Sequence, residues 1–182
     1  MAARYLGLRD WKLARAQVRS ENLLQVRTAA AATRIGKELT ARLEVLDVAE
    51  LQCLIDGSVR ERGYLLWAAA CRRYPLIRDF AVEVLVQHYL SLRHRLTLMD
   101  YEAFYGGKAT WHAELDELAP STQRKLRQNL FRMMRDADLL SVQSLIQPTM
   151  LTPRVAQLLA RQGRQALQIF PTTESEISRW LK

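Results

Sequence analysis

Arg124, Lys125, Gln128, Arg132 and Arg135 carry the most explicit chemistry in this sequence. A guanidinium forks onto phosphate oxygens or a guanine edge, an ammonium is a point charge for phosphate, and a carboxamide matches the edge of adenine. Such a set works together only if one face holds it. At 100° per residue with Leu126 at zero, the five fall between about 160° and 260°, while Leu130, Met133 and Ala137 fall within roughly 40° of Leu126. The pattern predicts a helix with an apolar core stripe opposite a basic face, and its only acids, Asp136 and Asp138, come at the far end. Ser121 after Pro120 reads as an N-cap, which starts the helix at Thr122. Phe131 falls near 140° on the polar side and is expected to pack against a neighbouring element.

The elements around this helix must aim it. His112 to Leu118 (HAELDEL) reads as a short preceding helix and Ala119-Pro120 as a tight break, so residues from about 112 to 136 are expected to form a helix-turn-helix. In that arrangement the second helix enters a major groove by its N-terminal part, so Thr122, Gln123, Arg124 and Gln128 are candidates for base edges. Lys125, Arg132 and Arg135 are then candidates for phosphate. A solvated face, an acidic protein partner or a membrane surface are the other uses of a basic amphipathic helix.

Residues from about 10 to 46 repeat the theme. Asp10 is expected to cap a helix from Trp11 to Val18, a turn follows around Ser20 to Asn22, and a longer helix runs near Thr28 to Leu46. Its apolar stripe is expected to be Ile35, Leu39, Leu43 and Leu46, with Arg27, Arg34 and Lys37 on another face and Arg42 completing a second candidate DNA-binding set. Charge is placed accordingly. Residues 1–46 carry nine basic and four acidic side chains, 47–120 eight and eleven, and 121–136 five and one, so basic zones bracket an acidic middle. The net charge of +8 attracts phosphate polyanions by counterion release, which supplies affinity without sequence choice.

The rest of the chain reads as helices: Val48 to Ile55, Val59 to Tyr74 with Gly57 at the join, Leu76 to Arg95 after Pro75, and Asp100 to Tyr105 ended by Gly106-Gly107. Thr152-Pro153 opens another, Gly163 stops it, and Thr173 with Glu176 forms a capping box for the last. Val142, Ser144 and Ile146 alternate imperfectly and give the one strand signal, with Pro148 leaving little room for a partner. An all-α fold is expected, a compact multi-helix globule with two helix-turn-helix-like elements. At 182 residues the chain can bury a sizeable core as one domain or two closely packed lobes, and one domain over 1–182 is expected. Arg, Asp and Glu interrupt the most apolar stretch, Tyr64 to Leu90, which excludes a membrane span there. Met1 to Leu8 lacks a signal-peptide core, and Cys53 and Cys71 lack CxxC spacing, so a cytoplasmic protein with reduced thiols and no membrane association is expected.

Catalytic chemistry finds little footing. His88, His94 and His112 have no HExxH or CxxC partners. Gly106-Gly107-Lys108 departs from GxxxxGK[ST] and reads as a helix-ending turn, while Glu114, Asp116 and Glu117 read as a solvated acidic face. A non-enzyme without cofactor or metal is expected, with a monomer as the default.

Asn22-Leu23-Leu24-Gln25, Thr33-Arg34, Arg42-Leu43 with Leu46, Tyr74-Pro75-Leu76 before Asp79-Phe80, and Ser121-Thr122 with Lys125-Leu126 together resemble the BrxA family, small core proteins of bacteriophage exclusion (BREX) defence systems. The similarity runs through most of the chain and rests on order and spacing, with no catalytic signature among these residues. It implies an all-helical protein with helix-turn-helix elements, duplex DNA binding, and work beside other BREX proteins. Three functions compete: a non-catalytic DNA-binding accessory, a module docking acidic protein partners, and an RNA-binding helical factor.

Overall fold

The computed structural model describes residues 1–181, and the fold is all-α. Extended pairing among the described residues is limited to two isolated bridges, Arg95 with Leu145 and Leu140 with Ile146, so the strand signal at Val142 to Ile146 does not become a strand. The chain divides into two compact units, Met1–Arg73 and Tyr74–Lys182.

The first unit holds α1 (Ala2–Leu8), α2 (Trp11–Ser20), α3 (Ala29–Leu43), α4 (Val48–Asp56) and α5 (Val59–Arg73). Asp10 caps α2 by accepting from the N–H groups of Lys12 and Leu13 at 2.6 and 2.9 Å. Thr28 caps α3 through the N–H of Ala31. The buried face of α3 is Ala32, Gly36, Thr40 and Leu43, rotated by about 60° from the expected Ile35, Leu39, Leu43 and Leu46 stripe. Small side chains on that face let α2 pack closely through Ala14 and Val18, and the Thr40 hydroxyl is satisfied by the Gly36 carbonyl at 2.8 Å. Ile35 and Leu39 are left half-exposed.

Glu50 ties the lower helices of this unit together. Its carboxylate is 0% exposed, accepts from the Asp47 N–H in the capping box of α4, and meets the Arg72 guanidinium of α5 at 2.7 and 2.8 Å. Arg72 also donates to the Val45 carbonyl. Around Leu43, Leu46, Leu51 and Ala69 pack the residues of α1, and Tyr5 stacks on Trp11 at 3.8 Å.

The second unit opens with α6 (Pro75–Phe80), which continues through a π-helical segment, Ala81–Val86, into α7 (Gln87–Leu90). The helix expected to reach Arg95 ends here, because Leu92 turns left-handed at φ 58°. α8 (Leu98–Ala109) starts at a Thr97–Asp100 capping box and runs through Gly106 and Gly107, which were expected to end it. Two interior glycines cost about 1 kcal/mol each. Tertiary contacts hold the helix regardless: Lys108 donates to Asp79 at 2.8 Å and Glu83 at 2.7 Å, and Phe104 packs edge-on against Phe80. There follow α9 (Ala113–Asp116), α10 (Pro120–Asp136), α11 (Pro153–Ala160), a 3-10 turn (Arg164–Ala166) and α12 (Glu174–Trp180). Thr152 and Thr173 cap α11 and α12 as expected, the second in a capping box with Glu176. α11 ends at Ala160, and Gly163 takes up a positive φ in the turn beyond it.

Candidate nucleic-acid interface

α10 is built to present one face. It begins two residues earlier than expected, with Pro120 at its first position and Ala119 as N-cap; Ser121 sits inside the first turn and makes no capping bond. Proline suits that position because its fixed φ is already helical and its missing N–H would have had no helical partner. Leu130, Phe131 and Met134 are buried, Ala137 closes the face, and Leu126 and Met133 are only half-buried. The core side is thus turned about 60° from the expected stripe toward Phe131. On that flank Arg127 of α10 pairs with Glu102 of α8. Phe131 packs inward, as its position on the polar side led one to expect.

Opposite this core, Arg124, Lys125, Gln128, Arg132 and Arg135 are all exposed. Arg124, Lys125, Gln128 and Arg135 make no side-chain hydrogen bond or ion pair among the described residues, and Arg132 reaches only Asn129 at 3.3 Å. Thr122 is exposed in the first turn. Gln123 is not free, for its carboxamide donates to the Leu118 carbonyl at 2.9 Å and fastens α10 to the preceding turn. The element before α10 is shorter than His112 to Leu118: α9 is a single turn, held by the Tyr105 hydroxyl on the Leu115 carbonyl at 2.7 Å. Between α8 and the start of α10 lies a pocket of about 310 Å³ lined by Tyr101, Arg124 and Arg127 among others. The buried Tyr101 hydroxyl has no hydrogen-bond partner, and burial pushes it up to about 12.

The first unit brings its expected cations together only in part. Arg34 and Lys37 are exposed on α3, whereas Arg27 lies before the Thr28 cap and off the helix. Arg42 is half-buried, about 140° around the axis from Lys37, and pairs with Glu38 at 2.9 Å. Lys12, Arg15 and Arg19 of α2 were missed: with Lys37 they line a groove between α2 and α3. Their spacing of three and four residues marks a shared helix face, a signal present in the sequence.

Other chemistry-bearing residues are engaged. Burial alone would lower the Lys108 ammonium, but Asp79 and Glu83 outweigh it and hold it above the usual lysine value. Its role is a cross-link from α8 to α6 and the π segment, where the glycine-lysine motif has no phosphate loop around it. His88 bridges the Val84 carbonyl and the Asp100 carboxylate at 2.9 and 3.1 Å. Among the described residues no three His, Cys, Asp or Glu side chains stand where they could hold a metal ion, and no helix is long and apolar enough to cross a membrane.

Residues 1–163 match the model of the BrxA family, nine-tenths of the described chain. The chain belongs to the BrxA family. The BREX protein BrxA of Escherichia coli O9:H4 (strain HS) is 26% identical over 153 residues, covering 83% of this chain and 72% of its own. A crystal structure of an uncharacterized protein from Magnetospirillum magneticum superposes with a TM-score of 0.73 at 19% identity, covering 87% of this chain and 82% of the other, which shows a shared fold. Several of the residues on which the sequence resemblance rests are scaffold here. Asn22 takes φ 46° after α2 and accepts from the Val26 N–H, Pro75 starts α6, and Phe80 is fully buried. Thr122 and Lys125 lie on the exposed side of α10.

Proposed function

We propose that this BrxA-family protein is a non-catalytic, duplex-DNA-binding accessory of a BREX phage-defence system, working beside other BREX proteins. The observation that carries the reading is the outer face of α10: five polar or cationic side chains, four of them without any side-chain partner among the described residues, on a helix anchored by Leu130, Phe131 and Met134. Unpaired guanidiniums at an exposed face contribute little to folding and are available to phosphate oxygens and guanine edges. Thr122, Arg124 and Gln128 stand nearest the helix start, the part that enters a major groove in helix-turn-helix readers. Lys125, Arg132 and Arg135 then neutralise phosphates. The system's modifying and excluding chemistry is assigned to other components.

A second reading, docking of an acidic protein partner, is favoured by one place. The outer side of α3 sets half-exposed Ile35 and Leu39 beside Arg34 and Lys37, with Arg42 paired to Glu38, a mixed apolar and mainly basic surface suited to an acidic amphipathic segment. Titration of the protein with duplex DNA, single strands and duplex RNA at several salt concentrations separates the readings. Duplex DNA is expected to bind most tightly, with weak sequence preference and steep weakening by salt. No duplex binding at low salt rejects the DNA reading in favour of the docking one, and preference for duplex RNA rejects it in favour of an RNA-binding factor.

A further inference from the structure

α2 and α3 pack together, with Ala14 and Val18 buried on α2 and Ala32 on α3, and a groove of about 270 Å³ lies between them. Lys12, Arg15 and Arg19 line it from α2 and Lys37 from α3, over a floor that includes Ala32 and Gly36; no acidic residue lines it. The acids nearby in sequence are already committed. Asp10 caps α2, Glu21 pairs with Arg4 at 2.7 Å, and Glu38 pairs with Arg42 at 2.9 Å. Arg4, Arg42 and Arg72 of the same unit all have carboxylate partners, whereas Lys12, Arg15, Arg19 and Lys37 make no ion pair or side-chain hydrogen bond among the described residues. Arg15 is unpaired although it is half-buried.

Four like charges around one groove repel one another, and no carboxylate in the groove offsets that cost. A ligand of opposite sign does. Lys12, Arg15 and Arg19 spread over seven residues, about 10 Å of helix axis, a row better matched to a run of phosphates than to one small anion. The floor has space above it, since a Cβ built on Gly36 meets nothing within 4 Å.

We propose that the α2–α3 groove is a phosphate-ester clamp that seats the sugar–phosphate backbone of duplex DNA and reads no sequence. The proposal rests on the DNA-binding reading and assigns the first unit's contact to Lys12, Arg15 and Arg19 of α2, keeping only Lys37 from the expected set. A free nucleotide offers the same chemistry, so the test has two arms, duplex DNA and ATP, with the full chain.

Replacing Lys12, Arg15, Arg19 and Lys37 together by Gln is expected to weaken duplex binding equally across sequences, and to reduce the steepness of the fall of log K with log salt by about 3 to 4. The melting temperature is expected to hold or rise, because only unpaired cations are removed. Gly36→Glu is the second variant, adding a carboxylate at a position where a Cβ meets nothing within 4 Å; it too is expected to weaken duplex binding. If both variants fold and bind duplex with the parent's affinity and slope while substitutions on α10 weaken it, the clamp is overturned and the DNA reading stands. If the parent binds no duplex at all, the DNA reading fails. The clamp is then kept only as a nucleotide site if ATP binds the parent and not the quadruple variant, and is rejected if ATP binds neither.

Discussion

Arg72 and Arg124 are the same residue type in opposite circumstances, and their substitution should have opposite consequences. Arg72 lies over a fully buried carboxylate and holds it with two hydrogen bonds, while Arg124 is exposed and unpaired. Arg72→Met leaves the Glu50 charge buried with only the Asp47 N–H as company, so a loss of about 3–5 kcal/mol is expected in chemical denaturation. Arg124→Ala is expected to stay within about 0.5 kcal/mol of the parent. Tyr101 gives a residue-level pH signature. Burial raises its hydroxyl to about 12 from an ordinary 10, so the folded state disfavours the phenolate. The stability this represents is complete below pH 10 and is lost as pH rises toward 12; a Tyr101→Phe variant should lack that alkaline component in pH-dependent unfolding.

At the scale of the element, what matters is which face each helix buries. On α10, Leu130→Ala is expected to cost about 2–5 kcal/mol and Phe131→Ala about 3–5, whereas half-buried Leu126 should cost less than Leu130 in thermal or denaturant unfolding. Equal losses at Leu126 and Leu130 would put the core face back on the stripe that periodicity alone gives. The Thr97–Asp100 box is expected to show in acid. Burial pushes the Asp100 carboxyl up, but bonds from Thr97 and His88 outweigh it and hold it below the ordinary value of 3.8. Its stabilisation is therefore present above that value and lost as pH falls below it, and Asp100→Asn should flatten the acid limb of the stability profile. These cases show what was legible in the sequence. Helix starts at Asp10, Thr28, Thr152 and Thr173 were readable because a cap is a local bond between neighbours in the chain. The burial phase of α3 and α10 was not: each buries a face about 60° from the stripe its periodicity gives, and the neighbours that set that face cannot be read from the helix itself. Exposure of the α10 cations survived that rotation because they span a wide arc, and Arg27 dropped out because the Thr28 cap begins the helix after it.

For the whole molecule, the decisive quantity is where its charge of +8 is left unpaired. Many cations are spent internally, as Arg72, Lys108 and Arg127 are on Glu50, Asp79 with Glu83, and Glu102. Each unit retains an unpaired set, on α2 with α3 and on α10. Replacing Lys12, Arg15, Arg19 and Lys37 by Gln is expected to reduce duplex affinity and flatten its salt slope, and adding the Arg124, Gln128 and Arg132 substitutions should nearly abolish binding. A combined variant that binds no more weakly than the weaker single set would show that one unit alone holds DNA. The most direct test of the central claim is the salt dependence of duplex binding by Arg124→Ala/Gln128→Ala/Arg132→Ala beside the parent, with melting temperature as the folding control. The variant should bind more weakly, melt like the parent, and show a slope lower by about 0.9 for each phosphate it no longer neutralises. A folded variant with the parent's affinity and slope would contradict the assignment of α10 to DNA.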